Sequence, residues 1–168
     1  FDDFDNCEFD LFKLFDEFTP EDYRQLAQFC KSIGVMFLVT PYDFKSVDCL
    51  DEFVDIYEIS SSDLTNIPFI QYVAGKNKPM LLSTGASTLR EIKDAVKAIE
   101  DVSTVDIALM HEVLSYPTQY NDANLLMIKD MVYSFPNYEI GYIDYTEPDS
   151  DMMLLTAAYN YGAVILDS

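Results

Sequence analysis

Two consecutive stretches, DIYEISSSDLTN (Asp55 to Asn66) and KPMLLSTGAS (Lys78 to Ser87), share one grammar: a short apolar run that breaks off in small hydroxyl residues. A helix-like segment separates them. A β-strand that delivers polar groups to one rim, followed by a crossover helix, reads in this way. Its repetition points to a parallel α/β chain with its chemistry at the strand ends.

The grammar recurs along the chain. VMFLVT (Val35 to Thr40), IYEIS (Ile56 to Ser60), MLLST (Met80 to Thr84), VDIALMH (Val105 to His111), YEIGYI (Tyr138 to Ile143) and AVIL (Ala163 to Leu166) make six predicted strands. They are almost continuously apolar, as strands covered on both faces are, and their spacing leaves room for one helix each time. Thr19-Pro20-Glu21-Asp22 reads as an N-cap, a first-position proline and a negatively charged first turn. The helix it opens carries Tyr23, Leu26, Ala27, Cys30 and Ile33 on one side and stops at Gly34. Thr88 with Glu91 forms a capping box before an apolar stripe of Leu89, Ile92, Val96 and Ile99. Further helices are predicted around Phe44 to Phe53, Leu64 to Ala74, Ala123 to Tyr133 and Asp151 to Tyr161, the last two with Met127, Met131, Met152 and Met153 as core filler.

Parallel strands put all their C-terminal ends on one face. Here those ends are Thr40, Ser60 and Ser61, Ser83 and Thr84, His111 and Glu112, Asp144, and Asp167 and Ser168, which makes a ring of polar groups around one mouth. A closed (β/α) barrel needs eight units, two more than are predicted, and an open doubly wound sheet usually carries a glycine-rich phosphate loop after its first strand. No such loop is present, and only 5 glycines occur in the whole chain.

Composition narrows the function classes. With 30 acidic against 10 basic side chains and a net charge of −20, the surface repels nucleic acid and anionic membranes. No run reaches the roughly 18 apolar residues of a membrane span and the start has no secretion signal, so a soluble, cytoplasmic protein is expected. Three cysteines, Cys7, Cys30 and Cys49, without metal-ligand spacing read as reduced structural thiols. Residues 1–18 alternate aromatics with acids and form a separate arm, either packed on the domain of residues 19–168 or binding a partner.

The lines GVMFLVTPYDFKSVDCL, IYEISSSDLTNIPFIQYVA, KPMLLSTGASTLREIKDAV, ALMHEVLSYPTQYNDANLLMI and FPNYEIGYIDYT resemble the sialic acid synthase family, in that family's order and spacing, from about Phe9 to Asp167. Members condense phosphoenolpyruvate with an N-acetylated amino sugar to give sialic, legionaminic or pseudaminic acid. The resemblance implies a (β/α)8 barrel of which this chain supplies strands three to eight. The family's first two strands, with a substrate-binding lysine and the catalytic glutamate, have no counterpart within these residues, nor does its antifreeze-like domain.

Carried over by position, Thr40 of TPYD, Ser61 of YEISS and Ser83 of STG match contacts to phosphoenolpyruvate, and Tyr116 of SYPT matches a tyrosine lining the sugar site. Other positions depart. Glu58 stands where the family has a lysine, and IDYT puts Ile143 and Tyr145 where it has a phosphate-binding serine and a manganese-binding histidine, while Asp144 and Thr146 are kept. A second manganese histidine would fall about one residue past Ser168. Glutamate for lysine inverts the charge offered to an enolpyruvate, and loss of the imidazoles removes nitrogen ligands from the metal.

Three readings follow. The chain is a degenerate synthase-like domain with a structural or partner-binding role, part of an active phosphoenolpyruvate-dependent synthase, or a sugar- or carboxylate-binding module. No catalytic residue is assigned to it, and manganese or another divalent ion is expected only if His111, Glu112, Asp144 and Asp167 rebuild a site; otherwise His111 is a satisfied strand-end histidine. Glu58 reads as a rim carboxylate paired with a lysine or simply solvated, or as a general base. An incomplete barrel leaves unpaired strand edges, so the arm, another segment or another chain is expected to cover them.

Overall fold

The computed structural model describes residues 18–148 and 150–168. The arm proposed for residues 1–18 lies outside them except for Phe18, whose ring sits 5.9 Å from that of Tyr23. No helix among the described residues is long and apolar enough to cross a membrane.

Among the described residues α-helices and strands alternate. Helix α1 (Pro20–Ser32) precedes β1 (Leu38–Val39), and then follow α2 (Phe44–Leu50), β2 (Ile56–Ile59), α3 (Ile67–Ala74), β3 (Met80–Ser83), α4 (Leu89–Glu100), β4 (Ile107–His111), α5 (Leu126–Ser134), β5 (Glu139–Ile143), α6 (Met153–Tyr161) and β6 (Ile165–Asp167). The sheet is wholly parallel and its strands lie side by side in chain order, β1 to β6. A doubly wound sheet reverses direction at a switch point, whereas a barrel adds each strand beside the last, so this order is that of a partial (β/α) barrel.

The first strand is shorter than Val35 to Thr40 suggested. Asp55 takes over part of its ladder: Asp55 N–H donates to the Phe37 carbonyl at 2.8 Å, and the Phe37 N–H donates to Asp55 Oδ2 at 2.8 Å. A side chain thus replaces a backbone partner where β1 has one neighbouring strand.

The core lies between the sheet and its helices, with Tyr57, Ile59, Leu82, Leu109 and Ile140 from the strands packed on Phe69, Ile70, Ile92, Ile99 and Ile128 from the helices. The Thr88 capping box forms as predicted, and Ile92, Val96 and Ile99 are buried, but Leu89, in the first turn of α4, is 40% exposed. Helix α1 is capped by Thr19 and Asp22 as predicted, yet it buries none of its residues completely, and Leu26 and Ile33 are exposed. Its contacts are limited to one side: Tyr23 joins the core and the Arg24 guanidinium lies 5.4 Å from the Phe53 ring centroid. Met131 is buried and Met127 packs beside the core, whereas Met152 and Met153 are exposed, since α6 starts only after Met152 has turned through a left-handed conformation at φ 49°. Met152 and Met153 are therefore not core filler. Cys30 and Cys49 are free thiols.

Candidate functional site

Each strand delivers its last residues to the same face. Thr40 follows β1, Glu58 lies in β2 with Ser60 and Ser61 just beyond it, Ser83 closes β3, Glu112 follows β4, Tyr116 lies in the long loop after β4, and Tyr145 stands two residues past β5. These residues, with Tyr42 and Leu114, line one cavity of about 370 Å³. The structure thus brings together Thr40, Glu58, Ser61, Ser83, Tyr116 and Tyr145. It leaves Ile143 out, buried within β5 and away from the lining.

Glu58 is the centre of the arrangement. Thr40 Oγ1 donates to its Oε2 at 2.7 Å, and Ser83 Oγ donates to its Oε1 at 2.8 Å. One carboxylate therefore bridges the ends of β1 and β3 across β2. No lysine pairs with it among the described ion pairs, and it is half-buried rather than freely solvated. Both simple readings of Glu58 are corrected by this geometry: two hydroxyls stabilise its charge where a cation or bulk water was expected.

The remaining lining adds a second carboxylate. Glu112 is buried and packs against the turn after β3, where a Cβ on Gly85 would come within 2.6 Å of the Glu112 Cγ, so a larger residue there would push the Glu112 side chain aside. Burial first, then the charge and hydrogen-bonding pull of Glu112, then the Glu58 and Asp167 charges push the Tyr145 phenol well above its ordinary range. Tyr42 is shifted the same way, by burial first and by the Glu58 charge next, partly offset by its hydrogen bond with Ser60. The mouth is consequently a region of negative potential. Among the described residues no lysine, arginine or histidine lines the cavity.

Tyr116 is 85% exposed and meets the Tyr145 ring edge-on, with centroids 5.7 Å apart. The pair separates the cavity from a second one of about 390 Å³ that includes Asp144, Thr146 and Met152. Glu112 lies on this mouth as its strand-end position predicts, whereas Tyr42 was not picked out as a lining residue from the sequence. The position of Tyr42 beside Thr40 in TPYD was the available signal.

His111 turns away from the mouth. Its Nε2 lies 3.0 Å from the Ala123 carbonyl, which only accepts, so the ring is the tautomer with hydrogen on Nε2, and it stacks on Tyr142 at 5.8 Å. Burial holds its pKa below the ordinary imidazole value. Asp144 is engaged by the Tyr142 hydroxyl and the Thr146 N–H. Among the described residues no group of three or more His, Cys, Asp or Glu is placed to hold a metal ion. With Tyr145 at one matched ligand position, the residues described do not fit the manganese that the resemblance implies.

Comparison with known proteins places this geometry in context. A family model described as NeuB family matches residues 4–168. The chain is 42% identical over 139 residues to the uncharacterized protein MJ1065 of Methanocaldococcus jannaschii, covering 82% of this chain and 41% of that protein. It is 33% identical over 152 residues to N-acetylneuraminate-9-phosphate synthase of Drosophila melanogaster, covering 90% of this chain and 40% of the enzyme. Among solved structures, the sialic acid synthetase of Leptospira borgpetersenii in complex with citrate superposes with a TM-score of 0.83 at 28% identity, over 90% of this chain and 52% of that one. The chain thus spans about two fifths of the length of these curated relatives.

Proposed function

The chain belongs to the NeuB family, and on that premise we propose that it is a synthase-type barrel domain whose own mouth does not carry out the condensation of phosphoenolpyruvate with an amino sugar. Its role is structural or partner-binding. The observation that carries this reading is the Glu58 carboxylate held by Thr40 and Ser83, two of the three hydroxyls matched to phosphoenolpyruvate contacts.

Magnitudes favour it. Two like unit charges about 4 Å apart at an effective dielectric near 20 repel by about 4 kcal/mol, close to a thousandfold in affinity. Hydroxyl hydrogen bonds contribute roughly 1 kcal/mol each and do not offset that. Glu112 adds a second negative charge to the lining. The proposed partner-binding role rests on the sheet edges: β1 and β6 each have one neighbouring strand among the described residues, and Leu38 and Leu166 in them, with Met36 and Val164 just before them, are exposed. Another segment or another chain completes the barrel there.

A second reading is favoured by length. Because the chain spans about two fifths of relatives named as synthases, an active enzyme whose remaining groups come from other segments fits the same comparisons. The deciding assay incubates the intact protein with phosphoenolpyruvate, N-acetylmannosamine and manganese. Absence of condensation product is expected; product formation overturns the first reading and leaves the second.

A further inference from the structure

We infer that Glu58 is the residue that sets the sign of the ligand this cavity accepts, acting as a built-in anion on a pair of hydroxyls that still form an anion-binding site. The inference rests on the reading above and goes further, since it locates the exclusion in one side chain over an otherwise intact site.

The geometry is that of a ligand in its seat. Two donors from different strand ends, Thr40 Oγ1 and Ser83 Oγ, each address a different oxygen of one carboxylate, at 2.7 and 2.8 Å. A phosphate or a substrate carboxylate presents a similar pair of oxygens to two converging donors. Ser83 is buried, so its hydroxyl has little choice of partner beyond what stands in the cavity. Glu58 lacks the counter-charge that a half-buried carboxylate ordinarily requires: none of the described ion pairs includes it. The two hydroxyls supply its compensation, as they would for an incoming anion.

The second carboxylate of the lining behaves differently. Glu112 is backed by the Gly85 turn, and the Thr40 and Ser83 hydroxyls donate to Glu58. Neutralising Glu58 as glutamine therefore releases one of the two donors, since the amide oxygen can still accept from the other. A neutral amide at position 58 lifts the nearest repulsion, and a lysine reverses it.

The experiment is calorimetric titration of phosphoenolpyruvate, and separately of inorganic phosphate, into the intact protein and its Glu58→Gln and Glu58→Lys variants, with thermal melting of each. The unsubstituted protein gives no binding heat, Glu58→Gln gains measurable phosphoenolpyruvate binding, and Glu58→Lys binds at least tenfold more tightly than Glu58→Gln. If Glu58→Lys does not fold, the folded Glu58→Gln variant decides: binding supports the inference and silence overturns it. A folded Glu58→Lys variant that binds neither anion shows Glu58 to be a structural pin between strands and overturns the inference alone. Binding by the unsubstituted protein as tight as by the variants overturns the inference and the proposed function together.

Discussion

The Ser83 hydroxyl, buried at the end of β3, donates to Glu58 Oε1 of the neighbouring strand at 2.8 Å. It is a hydrogen bond to an ionised acceptor in a half-buried place, a class that contributes about 1.5 to 3 kcal/mol. Ser83→Ala is therefore expected to lower unfolding free energy in urea by about 1 to 3 kcal/mol. In a Glu58→Gln background the same substitution should cost less, because the charge is gone; equal costs in both backgrounds would show that the two side chains are not coupled.

The two ends of the predicted α4 stripe should respond differently. Ile92 is buried in the core and Leu89 is 40% exposed. Ile92→Ala is expected to cost about 2 to 5 kcal/mol, and Leu89→Ala much less than that. A Leu89→Ala cost matching that of Ile92→Ala would mean that another segment covers the start of this helix.

Much of this fold was legible because its strands are short apolar runs with polar ends, and a parallel sheet turns that pattern directly into a ring of functional groups. Thr40, Ser61 and Ser83 could be placed on one mouth from strand ends alone. The partner of Glu58 could not, because residues 40, 58 and 83 meet only through sheet registration, and a charge reversal in a sequence does not say which groups will rearrange around it. Helical periodicity marked an apolar face on α1 and methionines near α6, but periodicity reports which residues could be buried together, not whether anything is present to cover them. Leu26, Ile33, Met152 and Met153 are exposed for that reason.

His111 provides a pH test, since it is the chain's only histidine. Burial lowers its folded-state pKa below the ordinary value of 6.5, against the opposing effects of the Ala123 carbonyl, the Glu112 charge and the Asn124 backbone. The folded protein then binds fewer protons at this site than the unfolded chain, so the site's contribution is present above about pH 6.5 and is lost as pH falls through the folded value, by at most about 1.4 kcal/mol per pH unit. The single imidazole resonance should titrate with a midpoint below 6.5, and His111→Gln should flatten the fall in stability between about pH 6.5 and pH 5. A midpoint at or above 6.5 would mean that the ring is solvated or paired with Glu112.

The sheet edges yield the last prediction. Leu38 of β1 and Leu166 of β6 are partly exposed apolar side chains on strands with one described neighbour each, an arrangement that invites pairing with further strands. Tyr133 on α5 is 89% exposed and lies on a helix, with no edge to complete. If the edges are covered in the intact protein, Leu38→Lys and Leu166→Lys bury a charge against a partner strand and lower its melting temperature by about 2 to 4 °C for each kcal/mol lost, whereas Tyr133→Lys leaves it unchanged. The same contrast should appear in hydrogen exchange, with the outward-facing amides of β1 protected in the intact protein and exchanging rapidly in the isolated chain. Edge variants that melt with the Tyr133→Lys control, together with an isolated chain that stays monomeric at high concentration, would show that nothing covers these strands and that the partner-binding role is wrong.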